Sequence, residues 1–386
     1  MHSSVIMIAI TRQILSLNLC RNLIDNSIIM TLKQRADAFI ELGKQMKAVF
    51  AEEIHTLSPQ QQDLKAVIEQ VCSSNPWFIP EFSRHAVRSI SEMLNADSLN
   101  RWLLEESTIS PDEPLKRIGV VMAGNIPAVG FHDFLCVLIS GNLIQVKLSS
   151  DDHLLIPAIA RLLIAIEPQF ETRIQFVSGK LEQIDAVIAT GSNNTSRYFE
   201  YYFGKYPSII RKSRSSIAVL SGNETTEELS GLLDDLFLYF GLGCRNVTKL
   251  YVPAGYDFIP LLDLSNSKAD LLLSHNKYYN NYEYNKAVFL VNGTQHLDTG
   301  YLLVKEDTAL HSPIGVIHYE TYTSVNEVIN TLASIDETLQ CVVSKIEGIS
   351  SAVRFGKSQQ PALNEYADHV NTLNFLIQLQ GLIPKL

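Results

Sequence analysis

From Met30 the chain reads as an amphipathic helix. Leu32, Ala36, Phe39, Ile40, Gly43, Met46 and Phe50 recur at helical spacing, with Lys, Arg, Glu and Gln between them. Further on, the pattern changes to short apolar runs at residues 118–122, 143–146, 174–177 and 186–189. Helix-length stretches, about 129–140 and 154–166, separate them. Apolar strands alternating with helices predict a parallel sheet with crossover helices. Ligands of such sheets bind beyond the carboxyl ends of the strands. The polar turns at 124–127, 147–150, 178–180 and 190–193 are therefore the places to look for a site. Past a short polar and basic join at 212–216, the alternation resumes from about 216 to 345 and predicts a second α/β lobe. The last segment, 346–386, is apolar and partly helical.

Residues 1–29 are apolar and carry few charges, but their one uninterrupted apolar run, 5–10, is soon broken by Arg12. That is too short to span a bilayer. It also lacks a basic region followed by a small-residue cleavage site. Residues 1–29 are therefore read as an extension upstream of a natural start at Met30.

Composition narrows the class. Of 386 residues, 46% are hydrophobic and 19% charged, the profile of a well-packed soluble protein with two or three domains. A net charge of −10 argues against a nucleic-acid partner, which requires a basic face. Cys20, Cys72, Cys136, Cys244 and Cys341 are odd in number and irregularly spaced. They indicate neither a zinc site nor a disulfide framework, and they fit a reducing cytoplasm.

Among the cysteines, Cys244 stands apart. Gly241-Leu242-Gly243-Cys244-Arg245-Asn246 is a glycine-framed turn entered from a mostly apolar stretch, 232–240, that reads as helical. A thiol between structured segments, beside a fixed cation, has the setting that lowers a cysteine pKa. The same glycines also suit a plain turn around a small buried residue. No G-x-G-x-x-G follows the first strand. Thr190-Gly191-Ser192-Asn193 opens a helix whose N–H groups suit a phosphate, or else Ser192 or Asn193 is an ordinary cap. Asn125, ahead of Pro127, fits a turn.

Taken together, Asn125, Lys147, Gly191-Ser192 and the Gly-x-Gly-Cys turn resemble the aldehyde dehydrogenase superfamily. Within it the chain looks like the LuxC-type acyl-thioester reductases. The specific parts are Ala123-Gly124-Asn125-Ile126-Pro127, Gly243-Cys244-Arg245-Asn246-Val247, and the stretches 275–282 and 366–373. The resemblance runs from about Met30 to the C-terminus. It implies an aldehyde dehydrogenase-like α/β fold: N-terminal helices and a parallel-sheet NAD(P)-binding domain at 30–215, an α/β catalytic domain at 216–345, and a C-terminal return or oligomerisation segment at 346–386. It also implies a homo-oligomer, an acyl-CoA or acyl-protein thioester substrate, and an acyl-protein synthetase as a further partner.

Implied too are the roles of residues. Cys244 attacks the thioester, and the Asn125 amide with the Cys244 backbone N–H receives the oxyanion. Lys147 holds the adenosine ribose, and Gly191 and Ser192 meet the pyrophosphate. Where NAD-preferring relatives have an acid, three positions after the lysine, stands Ser150. That favours NADPH over NADH, although Asp151 and Asp152 lie close by. Oxidising members carry a water-activating glutamate roughly 34 residues before the cysteine. Here that position is Ile210, with Arg211, Lys212 and Ser213 beside it, which turns the expectation toward a reductase. Glu200 and Glu224 are the alternative bases, and His311 is a substitute for a second family glutamate. Arg245 and Lys249 favour a thiolate if they point inward. Two other readings stay open: a cysteine acyltransferase or thioesterase with a base such as His275, and a non-catalytic nucleotide-binding relative.

Overall fold

The computed structural model describes residues 30–51, 57–106, 115–349 and 351–380. The expected upstream extension, 1–29, lies outside them, as does Cys20. Four helices come first: α1 (Leu32–Ala48), α2 (Pro59–Gln70), α3 (Pro80–Met93) and α4 (Ala96–Glu105). Their starts are written locally. Thr31 and Ser58 form capping boxes with Gln34 and Gln61, Asn95 caps α4, and Pro59 and Pro80 occupy first-turn positions. Gly43 lets α1 meet the end of α3, since an added Cβ would lie 2.8 Å from that of Leu94.

The first sheet follows as β1 (Arg117–Val121), α5 (Phe131–Ile139), β2 (Leu143–Lys147), α6 (Leu155–Ile166), β3 (Ile174–Phe176), β4 (Ala186–Thr190), α7 (Asn193–Phe203) and β5 (Ser208–Arg211). Its strand order is β3-β2-β1-β4-β5, and every pair is parallel. Alternation along β4 divides the two faces. Ala186 and Ile188 join the core built with α1, α5 and α6, whereas Val187 and Ala189 pack with Phe199 and Phe203 of α7. Helices on both faces explain why the inner strands β1, β2 and β4 read as mostly apolar runs.

The second sheet is built from β6 (Ser215–Val219), α8 (Thr226–Phe237), β7 (Val247–Pro253), α9 (Ile259–Ser265), α10 (Ala269–Ser274), α11 (Asn276–Val291), β8 (Leu297–Asp298), β9 (Leu303–Glu306), β10 (Val316–Tyr322), α12 (Val325–Ile335) and β11 (Leu339–Ser344). Its order is β11-β6-β7-β10-β9-β8, parallel except for β8. Ala218, Leu250 and Val252 face α8 and α10, while Ile217, Val219 and Tyr251 face α12. The chain then returns to the first sheet. In α13 (Thr372–Gln380), Leu373 and Leu376 are fully buried in the core shared with α5, so these residues pack within their own chain. No helix of the described residues is long and apolar enough to cross a membrane.

Candidate active site

Parallel register decides what gathers at the edge of the first sheet. Val121 pairs with Lys147 on one side and Ala189 on the other, so the segments after β1, β2 and β4 leave from one edge. Strand order reverses across β1, which makes this edge the switch point where open α/β sheets bind ligands. Asn125, Lys147, Ser150 and Ser192 are exposed there, and Gly191 is half-buried. The turns after β1 and β2 touch closely: a Cβ on Gly124 would lie 2.7 Å from the Ser149 side chain. Of the two acids near Ser150, Asp152 is turned inward and accepts the Ala128 N–H at 2.7 Å. Burial pushes its carboxyl up to about 6, against the pull of the Ala128 and Leu155 N–H groups. Asp151 is exposed.

Ser192 caps α7, its Oγ accepting the Thr195 N–H at 3.3 Å. The first turn of α7 carries no acid, and a Cβ on Gly191 would crowd the Phe199 ring at 2.9 Å. An acid-free helix N-terminus behind a tight glycine, with an exposed lysine at the end of the strand next but one, fits a dinucleotide phosphate and ribose.

The Cys244 turn is held from several directions. The helix expected through Phe240 ends instead at Phe237, and Tyr239 and Phe240 both take φ 55°. Left-handed backbone is costly for side chains of this size and persists only where packing enforces it. Both rings are buried; the Tyr239 hydroxyl meets His85 Nδ1 at 3.0 Å, and Phe240 stacks on His275 at 4.0 Å. Gly241 continues at φ 76°.

Asn246, fully buried, then clamps the turn. Its Oδ1 accepts the Gly243 N–H at 2.8 Å, and its Nδ2 donates to the carbonyls of Leu238 (2.8 Å) and Asp235 (3.0 Å). Ser216 Oγ donates to the Cys244 carbonyl at 2.8 Å, fixing the thiol to β6. From the other sheet, Asn125 Nδ2 donates to the Leu242 carbonyl at 2.8 Å. The turn after β1 is thereby joined to the turn that carries the cysteine.

Cys244 lines a cleft of about 590 Å³. Ile90 and Met93 of α3, Trp102 of α4, Ile126 and Phe131 give it apolar walls, and residues 359–365 close one side. That closing segment is anchored by Asp235, fully buried, whose carboxylate accepts the N–H groups of Gly356 (2.7 Å) and Ser358 (3.0 Å). Burial raises the Asp235 carboxyl to about 6.

The thiol differs from the sequence expectation. Burial pushes the Cys244 pKa above its ordinary value, with Arg245 as the largest opposing influence, then Arg211. A cation does stand beside the cysteine, but desolvation outweighs it. Arg211, at the end of β5, forms a buried pair with Asp133 and also donates to Thr372 Oγ1 at 2.8 Å. Ile210 is a half-buried strand residue, and it is Arg211 that reaches the cleft.

The remaining candidates lie elsewhere. Lys249 is buried in β7, bonded to Glu320 and the Thr308 carbonyl, and does not line the cleft. Glu200 pairs with Lys212, and Glu224 accepts from Ser221 and Gly222. His275 bonds the Pro76 carbonyl and caps α11, so neither nitrogen is turned to the thiol. His132 lines the cleft, but its nitrogens meet the Leu363 carbonyl (2.9 Å) and Cys136 Sγ (3.7 Å). Tyr278 and Tyr282 are buried and bonded to the Tyr301 carbonyl and to Asp298. The roles of Asn246, Asp235 and the Arg211–Asp133 pair were not read from the sequence. Only the place of Asn246 inside the Gly-Cys-Arg-Asn stretch gave a signal.

Two largely parallel sheets, with a thiol turn before a strand of the second and a strand-end edge on the first at the switch point, define an aldehyde dehydrogenase-like fold. Solved structures agree on the fold. Betaine aldehyde dehydrogenase from Staphylococcus aureus, in complex with NAD+, matches with TM-score 0.61 at 12% identity, covering 86% of this chain and 76% of that one. Aldehyde dehydrogenase 21 from Physcomitrella patens, in complex with the reaction product succinate, matches with TM-score 0.60 at 14% identity over 91% and 89%. An aldehyde dehydrogenase of Pseudomonas syringae, complexed with NAD+ and octanal, matches with TM-score 0.60 at 12% identity over 86% and 76%. No curated protein sequence matches this chain significantly. The family described as acyl-CoA reductase (LuxC) matches residues 25–255, more than half of the chain. The chain belongs to that family.

Proposed function

We propose that the protein reduces long-chain acyl thioesters to fatty aldehydes through an acyl group carried on Cys244, with NADPH as the preferred reductant. The observation that carries this reading is the 2.8 Å bond from Asn125 Nδ2 to the Leu242 carbonyl, which brings the ligand edge of the first sheet to the thiol turn. The Cys244 thiolate attacks the thioester carbonyl, and the original thiol leaves with a proton. The second Asn125 amide proton and the Cys244 backbone N–H receive the oxyanion. The acyl chain lies along Ile90, Met93, Trp102 and Phe131.

Lys147, Ser150, Gly191 and Ser192 hold the dinucleotide. Ser150 leaves room for a 2′-phosphate that a carboxylate would repel. Bound there, the nicotinamide supplies the hydride that converts the thioester to aldehyde. Acyl-CoA or an acyl-protein serves as the donor, and a homo-oligomer and an acyl-protein synthetase partner belong to the same reading.

A cysteine acyltransferase needs a base at the thiol. Of the histidines, His275 is bonded elsewhere and both nitrogens of His132 are engaged. The test is incubation with a long-chain acyl-CoA and NADPH, following the loss of NADPH absorbance with aldehyde trapping. Wild type is expected to consume NADPH and release aldehyde, and Cys244→Ala to lose both. Activity that survives in Cys244→Ala would sink the proposal.

A further inference from the structure

Three arginines line the cleft with Cys244: Arg101, exposed to solvent on α4, and Arg211 and Arg245, whose surroundings differ. Arg211 faces Asp133 in a dry pair, with side chains 5% and 9% exposed. Such a pair cancels most of its own field. Arg245 donates from Nη2 to Glu365 Oε1 at 3.1 Å, but the Glu365 side chain is 38% exposed against 12% for Arg245. Water screens the carboxylate more than the guanidinium. Arg245 Nε and Nη1 are buried without a hydrogen-bond partner. Glu365 also accepts the Ala362 N–H at 2.7 Å, so the arginine is tied to the segment that closes the cleft.

Other charged or titratable groups do not supply this field. Asp368 is paired with Arg214 at 3.3 Å, burial lowers the His132 pKa on α5, and Glu92, Arg101 and Glu105 at the cleft are exposed to solvent. Cys341 on β11 is buried, and burial pushes its thiol up to about 12.

We infer that Arg245 is the positioning residue for Cys244: its guanidinium, fixed by Glu365 and only partly neutralised by it, supplies the positive charge against which the thiolate forms. The inference rests on the nucleophilic reading of Cys244 and deepens it. The thiol loses its proton to solvent, and no other bond changes. Glu365 has two opposed effects, orienting the arginine and subtracting from its charge.

The experiment is the pH dependence of Cys244 alkylation by iodoacetamide in the intact protein, with the adduct located by peptide mass spectrometry. Arg245→Gln is expected to raise the midpoint by roughly one pH unit, about tenfold slower labelling near neutrality. Arg245→Lys is expected to restore most of it. Glu365→Gln removes the countercharge, and its single amide oxygen keeps one of the two accepted hydrogen bonds, so its midpoint is expected to fall. A merely loosened segment would speed labelling at every pH without moving the midpoint. An unmoved midpoint in Arg245→Gln, or an unmoved or raised one in Glu365→Gln, overturns the inference. Should Arg245→Gln fail to fold, the isosteric Glu365→Gln alone decides. The titration needs no substrate, so its outcome is separate from the reductase test of Cys244→Ala.

Discussion

Replacing Asn246 by Ala removes the clamp of the thiol turn and tests whether one buried amide holds that turn. Three hydrogen bonds disappear, at 2.8, 2.8 and 3.0 Å, in a residue with no exposed surface. Each is worth about 1 kcal/mol net, about 3 kcal/mol for the three, and more where an abandoned buried partner stays out of reach of water. Partial relaxation of the turn offsets some of this, and a loss of about 3–4 kcal/mol is expected. Tyr239, Phe240 and Gly241 sharpen the effect, because their left-handed backbone is held partly by the bonds it would lose. The assay is urea unfolding followed by circular dichroism and by Trp fluorescence, with reductase turnover measured in parallel. Both probes should report the loss, and turnover should fall by about tenfold or more, since a small misplacement of a nucleophile is costly. A midpoint within about 0.5 kcal/mol of wild type, with turnover unchanged, would refute the clamp.

Lys147→Ala should raise the KM for NADPH by about tenfold, a loss near 1.4 kcal/mol, without changing the unfolding midpoint, because the side chain is exposed. Ser150→Asp should shift the ratio of catalytic efficiencies toward NADH, as steady-state kinetics with the two cofactors would register; an unchanged ratio removes Ser150 from the ribose site. Asp235 carries a pH signature. Its folded carboxyl, near 6, lies above the ordinary 3.8, so the folded protein binds the extra proton and the contribution of Asp235 to stability falls as pH rises from about 4 to 6. Asp235→Asn should make the stability–pH slope more positive over that window, by up to about 3 kcal/mol in all, measured by urea midpoints at each pH.

The first sheet was legible because its inner strands β1, β2 and β4, buried on both faces, leave mostly apolar runs, while the edge strand β3 is largely exposed. Each run expected at 118–122, 143–146, 174–177 and 186–189 overlaps a strand of the structure. Strand ends then pointed to Asn125, Lys147 and Gly191-Ser192, since chain order and parallel pairing place them at one edge. Tyr239 and Phe240 were not legible. Nothing local marks two aromatic residues for left-handed backbone; packing against Phe82, His85 and His275 does. Asp235 lies inside the mostly apolar stretch 232–240, yet it holds Gly356 and Ser358 from more than a hundred residues away. The Cys244 thiol illustrates the same limit. An adjacent arginine is visible in sequence, whereas the depth of burial that outweighs it depends on α3, α4, α5 and the 359–365 segment arriving together.

The fate of an acyl group on Cys244 turns on which bases can reach it. Hydrolysis needs a carboxylate or imidazole free to take a proton from water. Four carboxylates line the cleft: Glu92, Glu105, Asp133 and Glu365. Asp133 is tied to buried Arg211, and Glu365 to Arg245 and the Ala362 N–H. An arginine partner occupies the oxygen that water would need. Glu92 and Glu105 are exposed on α3 and α4, and Glu105 is turned toward Asn364. At the position where the family resemblance implied a base in oxidising members, the chain has Ile210, and Arg211 beside it lines the cleft with a cation. A cation does not activate water by removing its proton. In the proposed reading the thioester on Cys244 meets apolar walls, two engaged carboxylates, two that are exposed on α3 and α4, and an engaged histidine, and hydride from the dinucleotide edge is its expected exit. The partition can be measured. Wild type given acyl-CoA without NADPH should accumulate the acyl-enzyme and release little free acid, and rapid acid release would show that a base reaches the thioester after all.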